Sequence, residues 1–270
     1  MKKILAIAVA TAISAPAMAD LTIGGDAEYV LSAVDGSDAT SAVETNLNIA
    51  ASTTSESGLT VGAFTQIEAT QVDGQTVQLD DIYLTVGNAM ATVTLAERGG
   101  FATKDAFALG ADTAAQISSY GAATTERKAD VAVDFTVADV AVQIAGNIGN
   151  STGTEKSIHA STSVGDVAVA ASYEDFDTGT GFAVSASTVV SEVTLGVAYA
   201  ADDSDNATSV LSAAYGDLTV QYANGEGATD ASDIYGEYVI ALAPGATLKL
   251  AAGNYDGDTS KVAAKINYAF

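Results

Sequence analysis

Residues 261–270 read Lys261-Val262-Ala263-Ala264-Lys265-Ile266-Asn267-Tyr268-Ala269-Phe270. Val262, Ala264, Ile266, Tyr268 and Phe270 fall on alternate positions, opposed by Lys261, Lys265 and Asn267. Side chains of a β-strand point to its two faces in turn, so this segment has one apolar face and one charged face. The same period of two marks the other end of the chain. Leu21, Ile23, Ala27, Tyr29 and Leu31 share one face there, and Thr22, Gly24, Asp26 and Glu28 share the other. It recurs at 128–137, where Val131, Val133, Phe135 and Val137 oppose Lys128, Asp130, Asp134 and Thr136.

Extended over the whole chain, the pattern predicts sixteen strands. They cover 21–31, 43–53, 59–69, 77–87, 91–98, 128–137, 140–148, 157–164, 167–175, 182–190, 193–201, 208–215, 218–224, 234–242, 247–254 and 261–270. Val and Thr are enriched and the chain holds only 2 Pro, as strands require. Seven connections are short: 55–58, 87–89, Ala138-Asp139, Gly165-Asp166, Ser191-Glu192, Gly216-Asp217 and 244–246. The other eight are mostly longer and polar, and the two kinds alternate. The spacing therefore predicts tight turns on one rim and longer loops on the other, the sidedness of a membrane barrel. The longest connection, 99–127, is third among the long ones. A structureless segment of that length is rare in a compact domain unless it has a function.

The start of the chain is an export signal. Lys2 and Lys3 precede an apolar run over 4–13, and Ala17-Met18-Ala19 is a small-x-small cleavage site. Residues 1–19 are thus expected to be removed, leaving one domain at 20–270. No later stretch is long and apolar enough for a transmembrane helix, yet 48% of residues are hydrophobic and mean hydropathy is positive. Export with high apolar content leaves a membrane barrel, whose alternating strands hide from hydropathy, or a secreted β-rich globule. The chain has no Cys, so something other than disulfides holds it together. Barrel closure supplies that, since no sheet edge remains. Acids outnumber bases 34 to 10, and loss of Lys2 and Lys3 takes the net charge from −24 to −26. Nucleic acid and anionic surfaces are excluded as partners.

Outward aromatics form two bands. Tyr29, Tyr173, Phe182, Tyr199 and Tyr222 lie at loop ends of their strands, and Phe135, Tyr215, Tyr268 and Phe270 at turn ends. Two girdles are what two membrane interfaces demand. The opening Leu21-Thr22-Ile23-Gly24-Gly25-Asp26 and the closing Lys265-Ile266-Asn267-Tyr268-Ala269-Phe270 resemble the first and last strands of Gram-negative general porins. Thr92-Val93-Thr94-Leu95-Ala96-Glu97-Arg98 resembles the strand that leads into their third loop, although Ala96-Glu97-Arg98 departs from the usual Gly-Arg. The resemblance spans the mature chain. It implies an all-β transmembrane antiparallel β-barrel of sixteen strands in the bacterial outer membrane, with short periplasmic turns and the third outer loop folded into the pore. It also implies a homotrimer, passive diffusion of small hydrophilic solutes and ions, and no cofactor. Tyr268 and Phe270 become the C-terminal signal read by the barrel assembly machinery. Outer-membrane lipid and lipopolysaccharide are its surroundings.

Parity places Asp26, Glu28, Glu44, Glu68, Asp81, Asp130, Asp134, Glu174 and Glu237 inward, against Arg98, Lys128, Lys249, Lys261 and Lys265. Loop three adds Asp105 and Asp112 against Lys104. General porins face acids of that loop with an Arg cluster, and the first four strands here carry neither Arg nor Lys. Lys249 and Lys265 are expected as cross-strand neighbours, with Asp26 and Glu28 in reach across the closing seam. A negative lumen concentrates cations, so a cation-preferring pore is expected. Outward positions of strands two to five, among them Val43, Leu47, Ile49, Ile67, Ile82 and Leu95, include no aromatic. A wall buried against another subunit needs no interfacial anchor, which makes this wall the expected trimer contact.

Catalytic chemistry is not indicated. The one His, His159, has Ser157, Ser161 and Ser163 on its face and no acid at matching spacing, so nothing orients a base beside a nucleophile. The acid clusters at 202–206 and 256–258 lack a full calcium loop, so loose divalent bridging to lipid phosphates is the most they imply. Only Phe64, Tyr83 and Tyr235 are aromatic and inward, too few for the aromatic path of a sugar channel. A secreted β-rich surface or adhesin protein and a structural barrel with a plugged lumen are the alternatives. Detergent requirement and single-channel conductance separate them from a porin.

Overall fold

The computed structural model describes residues 20–71, 75–96, 129–147, 156–176, 179–227, 231–255 and 259–270. These form sixteen strands and, among the described residues, no helix. The first eight are β1 (Asp20–Val34), β2 (Thr40–Thr54), β3 (Thr60–Gln71), β4 (Gln75–Gly87), β5 (Ala91–Ala96), β6 (Val131–Val137), β7 (Val140–Gly146) and β8 (Lys156–Val164). The second eight are β9 (Val167–Phe176), β10 (Gly179–Val190), β11 (Val193–Asp202), β12 (Ala207–Tyr215), β13 (Leu218–Glu226), β14 (Ala231–Ala243), β15 (Ala246–Tyr255) and β16 (Thr259–Ala269). Each pairs antiparallel with its sequence neighbours, and β16 pairs with β1 to close the barrel. Both ends of the described chain lie on the rim of the short turns.

Several strands run further toward the loop rim than their sequence bounds. β1 continues to Val34 and β2 starts at Thr40, because the ladder carries on through Ser32↔Thr40 and Val34↔Lys261. Connections therefore alternate in side but not strictly in length. The turn at 55–59 is as long as the loop at 35–39, and the loop at 203–206 is shorter than both. β6 starts only at Val131, and residues 97, 98 and 128 lie outside the described residues.

The tight turns follow local backbone chemistry. Gly165 and Gly216, at φ 61° and 56°, open two-residue hairpins as type II′ turns do. Ala138-Asp139 (φ 46° and 69°) and Ser191-Glu192 (50° and 71°) turn with both residues in the left-handed region. That costs non-glycine residues about 1–2 kcal/mol each. Their backbone twist matches that of the flanking strands, so the ladder runs unbroken into the turn. Pro244-Gly245 is relieved by a bulge between Ala241 and Ala243.

Apolar side chains cover the outside. Tyr29, Tyr173, Phe182, Tyr199, Tyr222, Tyr215, Tyr268 and Phe270 are all exposed there, as is Tyr238, which the sequence reading left unassigned. Wall β2–β5 carries no outward aromatic. One strand breaks the uniform alternation. On β4, Val77 and Leu79 point outward (74% and 61% exposed), and so do Ile82 and Leu84. Simple parity would turn the first pair inward. Between them Asp80 and Asp81 together oppose Gln66, since Thr65 pairs with Ile82 and Ile67 with Leu79. This bulge inserts one residue and flips parity.

Closure rests on the two chain ends. Gly25 and Phe270 exchange two backbone hydrogen bonds of 3.0 Å each. A Cβ on Gly25 would lie 2.1 Å from the Asn46 carbonyl oxygen and 3.0 Å from Phe270 Cζ. Glycine is required there, because a backbone oxygen cannot yield.

Candidate functional site

The inner wall is unevenly charged, densest from β14 through β4 and sparsest on β10–β13, with Asp134, His159 and Glu174 on the strands between. Inward positions of β10–β13 carry small or neutral side chains, such as Ala183, Ser187, Ala198, Ala200, Ser212 and Gln221. Charge gathers on β14 through β4, where alternation puts a polar residue inward on strand after strand.

The centre of the charged stretch is a row of four ionisable side chains. Lys249 and Lys265 face each other directly across β15 and β16. Each is held from its other side. Lys265 Nζ lies 2.6 Å from Glu28 Oε1, and Lys249 Nζ lies 4.0 Å from Glu237 Oε1. Asn267 Nδ2 donates to Glu28 Oε1 at 2.8 Å, and the buried Tyr235 hydroxyl donates to Glu237 Oε2 at 2.9 Å. Two like charges thus sit side by side because a carboxylate stands on each flank. Charge-assisted hydrogen bonds satisfy the carboxylates in turn.

Beyond Glu28 the wall is acidic. Glu28 pairs in register with Glu44, Asp26 with Asn46, and Asn46 with Glu68. Asn46 Nδ2 donates to Glu44 Oε1 at 2.8 Å, and Thr70 donates to Glu68. Among the described residues, no ion pair engages Asp26, Glu44 or Glu68. Lys261 stands nearer the loop rim, opposite Val34 and Gly253. On β6, Asp134 accepts from Gln143 Nε2 at 3.1 and 3.3 Å. Asp130, just before β6, and Glu174 on β9 are buried.

The expected seam cluster therefore forms through Glu28, with Asp26 one alternation nearer the turn rim. Arg98, Lys104, Asp105, Asp112 and Lys128 lie outside the described residues. Sequence reasoning missed Asn46, Gln143 and the buried Asp233 as inward polar groups, and placed Asn267 on the inward face without its tie to Glu28. It placed Tyr235 inward without its tie to Glu237. Spacing of two from a known inward acid was the available signal, as for Tyr235 and Glu237. Tyr268 and Phe270 are outward, with ring centroids 6.2 Å apart, and Phe270 is seated on Gly25.

His159 is buried, in register with Gln143 and Ser172. No group of three or more His, Cys, Asp or Glu among the described residues is placed to hold a metal. At 202–206 the acids serve the loop itself. Asp202 Oδ1 accepts from the Ser204 and Asn206 amides at 2.9 and 3.0 Å, and Asp203 Oδ2 from the Thr180 amide at 2.9 Å. Those oxygens satisfy backbone donors that a divalent ion would have to displace. The second acid cluster, 256–258, lies outside the described residues.

A family model described as Gram-negative porin matches residues 6–269. Among solved structures, a triple mutant of Rhodopseudomonas blastica porin superposes with a TM-score of 0.73 at 16% identity, covering 93% of this chain and 100% of that one. A double mutant of Rh. blastica porin gives a TM-score of 0.72 at 18% identity with the same coverage. Among curated proteins none matches this chain.

Proposed function

Since this chain belongs to the Gram-negative porin family and is an outer-membrane β-barrel, we propose that its water-filled lumen passes small hydrophilic solutes and ions by passive diffusion, with a preference for cations. Family and fold point to a channel rather than an enzyme. The observation that carries the preference is the pairing of the inward bases. Glu28 and Glu237 offset Lys265 and Lys249, and the acidic wall of Asp26, Glu44 and Glu68 remains beside them. In a low-dielectric wall such a surplus focuses cations, and added salt weakens the effect.

In the same reading loop three, 99–127, forms the constriction with Asp105, Asp112 and Lys104, and Arg98 and Lys128 stand at its base. Residues 1–19 are removed on export, Tyr268 and Phe270 carry the assembly signal, and three copies associate through the wall β2–β5.

Reversal potential across a KCl gradient in planar bilayers tests the preference. A cation-favouring potential is expected at low salt, reduced in Asp105→Asn with Asp112→Asn. An anion-favouring or neutral potential overturns the preference. Absence of any single-channel current points instead to a structural barrel.

A further inference from the structure

The bulge on β4 has a chemical consequence inside the barrel. Without the extra residue, Asp81 and Tyr83 would share the outward parity of Val77 and Leu79. With it they face the lumen, and Tyr83 comes into register with the inward Phe64 of β3. The two rings stack with centroids 4.8 Å apart and 20° between their planes. Both remain partly exposed. Tyr83 packs against the buried cluster of Ala129, Ala132 and Ala145, with Ala96 opposite it in register on β5. Beside the pair, Gln66 Nε2 donates to Asn48 Oδ1 at 2.8 Å, fixing a neighbouring row of amides. Bulges gather where a side chain must be re-aimed. This one lets Val77 and Leu79 face outward on the same strand that turns Asp81 and Tyr83 toward the lumen.

We infer that Phe64, Tyr83 and Asp81 form a lumenal binding site for organic cations, solutes that carry a substituted ammonium on an apolar body. This rests on the water-filled lumen proposed above. An ammonium is drawn to the negative face of an aromatic ring, and its carbon substituents gain from leaving water against it. Asp81 lies two positions from Tyr83 on the same face and supplies the opposite charge. Glu68 on the same strand as Phe64, Glu44 on the adjacent β2 and Asp26 one strand further on β1 raise the local concentration of cations. A neutral sugar would use the rings but gain nothing from the carboxylate.

The probe is benzyltrimethylammonium, added to the full mature protein in planar bilayers carrying KCl current. Concentration-dependent interruptions of the open current are expected. Apparent affinity should fall about fivefold in Phe64→Leu with Tyr83→Leu, the loss of roughly one cation–π contact. Asp81→Asn should lower it too, whereas Tyr83→Phe should keep it. Blockade unchanged in the leucine double variant, or stronger blockade by maltose or benzyl alcohol than by the cation, overturns the inference. Heat-modifiable gel mobility establishes that each variant is folded. If no channel current appears at all, the conduction reading fails by itself. Calorimetric titration of the same probe onto the detergent-solubilised barrel then decides the site, with the same loss expected in the double variant and an unchanged heat overturning it.

Discussion

Glu28→Gln tests the seam of the barrel and its charge row together. Lys265 Nζ is 2.6 Å from Glu28 Oε1, and the two side chains are 6% and 18% exposed. Removing one partner of a buried pair costs about 3–5 kcal/mol, because the remaining charge keeps its desolvation penalty. Glu28 is partly wet, which puts the expected loss near the lower end, about 3 kcal/mol. The lysine has no easy escape, since Lys249 faces it across β15 and β16. At an amine separation of about 6 Å and an effective dielectric of about 20, their repulsion is about 3 kcal/mol. Adding Lys265→Met removes the stranded charge, so the double variant should return to within about 1 kcal/mol of the parent. Glu44→Gln is the control. Its carboxylate faces Glu28 and accepts from Asn46, so it should cost less than about 1 kcal/mol. Urea unfolding of the lipid-reconstituted barrel, followed by heat-modifiable mobility, gives all three values. A Glu28→Gln midpoint equal to the parent's, or a Glu44→Gln loss of the same size, would refute the reasoning.

Gly25→Ala should block closure of the barrel, because its methyl would sit 2.1 Å from the Asn46 carbonyl oxygen at the seat of Phe270; refolding yield on gels reads this, and a normal yield contradicts it. Cysteine introduced at Leu47 or Ile82, both on the wall without aromatics, should trap dimers and trimers on oxidation. Capture of monomers alone, each labelled by a lipid-phase thiol reagent, removes that wall as the subunit contact.

The residues alone determined the class of this molecule. Period-two alternation is a property of the extended backbone itself, so the apolar outside and polar inside of β1, β6 and β16 were readable from single segments. The same holds for turns such as Gly165-Asp166, where the residue type sets the φ. Even the opposition of Lys249 and Lys265 followed, because consecutive antiparallel strands pair by counting outward from the middle of their connection.

What needed the tertiary structure was whatever depends on pairing between distant segments. The Glu28–Lys265 contact joins the two ends of the chain, and its register follows from closing all sixteen strands. The seat of Phe270 on Gly25 depends on the same closure. On β4, no local signal in 77–87 says that two residues will oppose one. The bulge exists only relative to β3, and it turns Val77 and Leu79 outward although parity counted from the inward Asp81 and Tyr83 would bury them. Side-chain parity is local, but register is a relation between strands, and a single inserted residue inverts the first through the second.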